Sequence, residues 1–158
     1  RHCKIELLRL GDLVAAATPF GLLFGRIANF INGELWGRPT DVPWAIIFPA
    51  AGPEPRHPSQ LYEAGLEGIL LFLILRFATH RLGWLQKQGG VAGLFMLGYG
   101  LIRVSLENVR QPDVGMPDFP FGLTMGMILS TPMILIGIWL IWRSSRPQPS
   151  PTTAADAA

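Results

Sequence analysis

GLTMGMILSTPMILIGIWLIW, residues 122–142, decides the fold class. The stretch holds no charged side chain, and it meets the roughly 20 mainly apolar residues that a helix needs to cross a bilayer core. Three further apolar stretches precede it, at 13–30, 61–78 and 91–106. Each lies near the lower limit of about 17 residues and contains polar groups, so each spans only if those groups face protein or water. The expected architecture is all-α: a polytopic membrane bundle with four transmembrane helices in this chain.

Composition agrees. Apolar residues make up 49% of the 158 and charged residues 15%, against about 25% charged in ordinary soluble domains. Mean hydropathy is +0.34. A net charge of +2, with no lysine-arginine run, argues against a nucleic-acid partner. Cys3 is the single cysteine, which excludes an intrachain disulfide. The chain starts at Arg1 without a signal-peptide pattern, so it is expected to be a fragment with earlier residues missing.

Charge placement supplies an independent test. The segment before Leu13, the loop at 79–90 with the end of the stretch leading into it, and the tail after Trp142 together carry Arg1, Lys4, Arg9, Arg76, Arg81, Lys87, Arg143 and Arg146. The opposite loops carry Arg38, Arg56 and Arg110 beside Asp41, Glu54, Asp113 and Asp118. The positive-inside bias makes the first side cytoplasmic. Both ends of the fragment then lie inside, as four spans require. Gly21/Gly25 and Gly122/Gly126 are expected at close helix contacts, and Trp139 and Trp142 in an interfacial belt. Residues 37–60 are read as a proline-rich outer loop, and 147–158 as a disordered tail.

The polar residues within the spans point toward function. Arg26 and Asn29 share a helix face, with Gly33, Glu34 and Gly37 just beyond. Tyr99, Arg103, Glu107 and Arg110, spaced by four, four and three, form a second such face. Glu63 and Glu67 make a third pair. A charge at the bilayer centre costs roughly 2.5–3.5 kcal/mol, so lipid-facing arginines would oppose insertion. They should instead face a shared cavity opening outward. Guanidinium forks match phosphate oxygens, and at headgroup depth the ligand they suit is a phospholipid. An arginine-lined anion transporter or channel is the alternative, but it needs polar residues along the whole depth. A noncatalytic scaffold would tolerate leucine at Arg26 and Arg103. The histidines are scattered and no metal cluster has ligand spacing; no nucleotide-binding glycine loop occurs, and no cofactor is implied.

Three segments carry a family resemblance: GRIANFINGELWGR (residues 25–38), RHPSQLYE (56–63) and GYGLIRVSLENVRQPD (98–113). In this order they closely resemble motifs of the prolipoprotein diacylglyceryl transferases. The resemblance covers everything from the first span to Trp142. It implies seven membrane helices, of which these are the last four, so residues 1–146 would be the C-terminal part of a transmembrane catalytic domain. It implies action at the outer face of the bacterial inner membrane, on phosphatidylglycerol and on the lipobox cysteine of prolipoprotein signal peptides, with release of glycerol phosphate. By motif match Arg26 resembles the family's phosphatidylglycerol-binding arginine and Arg103 its second essential arginine. Asn29, Glu34, Gly37, Tyr99, Glu107 and Arg110 fall on positions the family uses in or around its site. The family's HGG motif has no counterpart, since neither His2 nor His80 is followed by glycines. The isolated fragment is therefore expected to be inactive.

Within that framework Arg26 and Arg103 are the expected catalytic residues, and Glu107 is expected to hold Arg103. His57 suits proton acceptance from a thiol by its ordinary pKa near 6.5. Its place at a loop-to-helix junction, where Ser59 is positioned to cap the second span, favours a structural role.

Overall fold

The computed structural model describes residues 6–111 and 123–146. Cys3, the tail at 147–158, Gly122, Asp113 and Asp118 lie outside the described residues. Helix α1 spans Leu7–Asn32. A loop follows, containing the two-residue strands β1 (Ile46–Ile47) and β2 (Pro55–Arg56) in antiparallel register, Ile46 opposite Arg56. The second rod begins as α2 (Ser59–Glu63), widens into a π-helical stretch over Ala64–Leu70, and continues as α3 (Leu71–Arg81). Then come α4 (Gly90–Leu106) and α5 (Met125–Ser144). The described parts of all four expected apolar stretches are helical apart from Leu123 and Thr124, and the segment expected as a loop holds only short elements before α2 begins at Ser59.

The ends of these rods have identifiable causes. Gly33 terminates α1 in the left-handed region at φ 65°, its N–H bonding back to Asn29 and Phe30. Thr124 caps α5 by accepting from the Met127 N–H. The start of α4 is capped from a distant element. Asp12, buried on α1, accepts from the Gly89 N–H at 2.7 Å and the Ala92 N–H at 2.8 Å. One carboxylate thereby satisfies two orphan donors and favourably meets the positive end of the α4 dipole.

Packing follows the small residues, though not all those expected. A Cβ on Gly93 would meet the Gly137 carbonyl at 2.9 Å, and one on Gly137 would meet the Leu97 N at 2.7 Å, so α4 and α5 touch backbone to backbone. Gly68 of the π stretch sits against Leu23 of α1 in the same way, at 2.7 Å. Gly21 and Gly25 differ from expectation: no described atom lies within 4 Å of where their Cβ would be. Gly126 meets the Glu107 carboxylate rather than a helix backbone.

Leu71, Leu75, Val91 and Ala15 form the buried centre. The outward faces stay apolar: Leu13, Phe24, Ile31, Phe77, Leu129, Leu135 and Trp142 are each more than half exposed. Among the described residues two helices, Leu7–Asn32 and Met125–Ser144, are long and apolar enough to cross a membrane, and only 17% of each one's apolar window is buried. Apolar faces of that extent suit a hydrocarbon surrounding. The molecule is a helical membrane protein. Trp139 and Trp142 are exposed near the α5 terminus, with Arg143 and Arg146 over their rings.

Candidate functional site

The site is assembled where α1 ends, α2 begins and α4 ends. RHPSQLYE builds the junction. Ser59 Oγ donates to the Leu35 carbonyl at 3.0 Å, and Gln60 Nε2 donates to the Glu34 carbonyl at 2.6 Å. Both side chains are fully buried. They fasten the first turn of α2 to the segment leaving α1. Leu35, a non-glycine residue at φ 57°, is held in that unfavourable region with its carbonyl engaged. Ser59 therefore does not cap its own helix, as its position suggested; α2 begins after Pro58 without a side-chain cap. The hydroxyl is used between elements instead.

One turn into α2, Glu63 is 1% exposed. Its Oε2 lies 2.7 Å from Arg26 Nε on α1. Its Oε1 lies 3.7 Å from Arg103 Nη1 on α4 and 3.3 Å from Arg110 Nη1 just beyond that helix. Glu67, in the π stretch and fully buried, accepts from Arg26 Nη2 at 3.4 Å. Glu107 closes the other side, 3.5 Å from Arg103 Nη1. Three guanidiniums thus interleave with three carboxylates. At an effective dielectric of about 20, opposite unit charges 4 Å apart attract by roughly 4 kcal/mol, the scale of interaction needed to hold charges at this depth. Hydrogen bonding within the cluster is incomplete. Arg103 Nη1, Glu63 Oε2, Glu67 Oε1 and Glu107 Oε2 are buried without a hydrogen-bond partner among the described residues. Three of these four atoms still sit in ion pairs, Glu63 Oε2 with Arg26 and Glu107 Oε2 with Arg103 Nη1, so charge attraction rather than directed hydrogen bonding holds them.

The structure gathers Arg26, Arg103, Glu107 and Arg110 and leaves other expected residues around them. Gly37 is buried where the loop meets the segment after α4, its N–H donating to the His57 carbonyl at 2.9 Å and its backbone bridging to Arg110. Tyr99 lies on α4 one turn before Arg103, its ring stacked on Phe95 and packed against the apolar core. Asn29 is half-buried; its backbone carbonyl accepts the Glu34 N–H at 3.0 Å, and its amide makes no hydrogen bond among the described residues. The exposed Glu34 carboxylate accepts from Asn32 at 3.3 Å and stands apart from the cluster. His57 belongs to the loop, where Nδ1 is 3.2 Å from the Tyr62 hydroxyl, which itself accepts from Trp44 Nε1 at 2.6 Å.

Glu63 and Glu67 are the residues that sequence reasoning set down as a pair and left out of the site. Their signal was present: two carboxylates one turn apart at the head of an apolar helix need cationic partners, and Arg26 and Arg103 needed anionic ones. Among the described residues the buried centre beside this cluster is the apolar group Ala15, Leu71, Leu75 and Val91, with Ser130 of α5 also buried.

Comparison with known proteins identifies the family. The family model described as prolipoprotein diacylglyceryl transferase matches residues 1–143. A phosphatidylglycerol–prolipoprotein diacylglyceryl transferase of Caulobacter vibrioides is 62% identical over 157 residues, covering 91% of this chain and 52% of the relative. One of Phenylobacterium zucineum is 59% identical, covering 96% of this chain and 56% of the relative. A third, of a Caulobacter species, is 58% identical, covering 99% and 56%. The chain spans about half the length of these relatives. With a helical membrane fold, one charged end built from the three quoted motifs, and a family model matching nearly from end to end, the chain belongs to the prolipoprotein diacylglyceryl transferase family.

Proposed function

We propose that this chain supplies the arginine-bearing half of a phosphatidylglycerol–prolipoprotein diacylglyceryl transferase. It works in the bacterial inner membrane as a multi-pass protein, with the charged end toward the periplasm. The observation that carries the reading is that guanidiniums from α1 and α4, Arg26 and Arg103, meet around one buried carboxylate. Two planar cations so placed suit a lipid phosphodiester at headgroup depth. Arg110, Asn29, Tyr99, His57, Glu34 and Gly37 surround that pair as binding or shaping residues, and residues 1–146 form the catalytic region.

In the reaction, the lipobox sulfur attacks the glycerol carbon that bears the phosphate. A C–S bond forms, the C–O bond breaks, and its electron pair leaves on glycerol phosphate. The thiol proton is lost to water or to the departing phosphate. A free thiol ionises near pH 8.5, and the phosphate gains charge as the bond breaks. Arg26 and Arg103 stabilise that developing charge with donors already in place.

The test is a chimaera in which this chain replaces the corresponding half of the Caulobacter vibrioides enzyme. It should transfer diacylglyceryl from phosphatidylglycerol to a lipobox peptide. Arg26→Ala and Arg103→Ala should each lower transfer at least about 100-fold, as loss of a charge-stabilising donor does elsewhere. Near-normal transfer by either variant removes its assigned role, and an inactive parent chimaera removes the reading.

A further inference from the structure

Among the described residues, Glu63 alone ion-pairs with arginines from both α1 and α4. Glu67 reaches Arg26 only, and Glu107 reaches Arg103 only. Glu63 meets Arg26 through one oxygen at 2.7 Å, and Arg103 and Arg110 through the other at 3.7 and 3.3 Å. Its own place is set by the bonds of Ser59 and Gln60 to the Leu35 and Glu34 carbonyls. The carboxylate therefore stands on a turn fastened to the end of α1, while it reaches across to α4.

We infer that Glu63 is a positioning residue: its buried charge spaces Arg26 and Arg103 as a single receptor before the lipid phosphate arrives. The inference rests on the phosphate-binding reading above and adds a residue to it. Without an anion between them, two guanidiniums at this depth repel and separate, and the reaction would have to reassemble them. Holding donors in the reactive arrangement beforehand removes that reorganisation from the chemical step. Glu63 lies behind the arginines at 1% exposure, so it acts through them and not on the substrate.

This gives a split that simple loss of structure would not produce. Glu63→Gln keeps size and removes charge. Ground-state attraction for the phosphodiester survives, because the cluster has become more positive, whereas the spacing needed as charge develops is lost. In the chimaera, kcat should fall at least about 10-fold while KM for phosphatidylglycerol stays within about 3-fold or decreases. In an Arg26→Lys background, which lacks the fork that Glu63 orients, the same substitution should cost less than about 3-fold in kcat, because coupled residues are not additive. Because the substitution removes one anion from a buried cluster, the detergent-solubilised variant should melt lower, and kcat is read at a temperature where it remains folded.

An unchanged kcat, a rise in KM with kcat intact, or an equal loss in both backgrounds overturns the inference. If Glu63→Gln does not fold, Glu63→Asp carries the test: it keeps the charge, shortens its reach, and should lower kcat about 10-fold at unchanged KM. Unchanged kcat in that variant also overturns the inference. If Arg26→Ala abolishes transfer and the Glu63 variants are normal, this inference alone falls. If Arg26→Ala is active, the phosphate reading falls first and this one with it.

Discussion

Gly37 shows how a single position can be fixed by its neighbours rather than by its own backbone angles. Its N–H donates to the His57 carbonyl, and a Cβ there would lie 2.6 Å from the carbonyl oxygens of both His57 and Val109. Both are backbone atoms at the seam between the outer loop and the end of α4, so neither can turn aside as a side chain would. Gly37→Ala should destabilise the protein by about 1–3 kcal/mol, the range of overpacking in a filled interior. Thermal unfolding in detergent would register this as a lowered midpoint, and an unmoved midpoint would contradict it. Asp12 is the counterpart at the other end of the bundle. Its carboxylate binds two backbone N–H groups at the start of α4, which are contacts between residues nearly eighty positions apart.

The second rod, α2 through the π stretch to α3, carries two of the three site carboxylates at its head and apolar core residues below. π-helical turns are uncommon and often accompany functional sites, and this one contains Glu67 and the glycine on which α1 rests. Gly68 lies against Leu23, with a would-be Cβ 2.7 Å from the leucine Cβ, whereas no atom of the described residues lies within 4 Å of the corresponding point at Gly65. Two alanine substitutions three residues apart should therefore behave differently. Gly68→Ala should push α1 away and lower the unfolding midpoint, at a cost of about 1–3 kcal/mol. Gly65→Ala should leave the midpoint unchanged or raise it slightly, since alanine is the better helix former by up to about 1 kcal/mol. Equal behaviour of the two variants would show that this contact does not set the distance between the first two rods.

At the scale of the molecule, the two ends of the bundle are chemically different. One end holds the ion cluster and the outer loop; the other holds Asp12 and the Arg81–Lys87 turn. The proposed orientation puts the first end in the periplasm. In a Cys3→Ser background, Trp44→Cys should react with a membrane-impermeant maleimide in intact spheroplasts. Leu85→Cys should react only after permeabilisation. The reverse pattern would invert the orientation and put the cluster on the wrong face for a lipobox cysteine.

Much of this architecture was legible in the residues themselves. Runs such as 122–142 leave a chain little choice but a helix, because in hydrocarbon every backbone donor must be satisfied within the segment. That the arginines at 26 and 103 need a shared polar environment was also readable, since isolated charges inside spans are too costly to face lipid. What sits opposite them was not readable. Glu63 became the junction because Ser59 and Gln60 bond to carbonyls of α1's end, Glu107 found room because Gly126 has no side chain, and Asp12 caps a helix it does not precede in sequence. The same distinction explains Gly21 and Gly25, whose spacing suggested a close contact that no described residue makes. Periodicity and charge cost act along the chain and fix which segments are helices and which faces need partners. The choice of partner is made between segments, by which backbones approach closely enough for one carboxylate to meet three guanidiniums, and only the folded arrangement determines that.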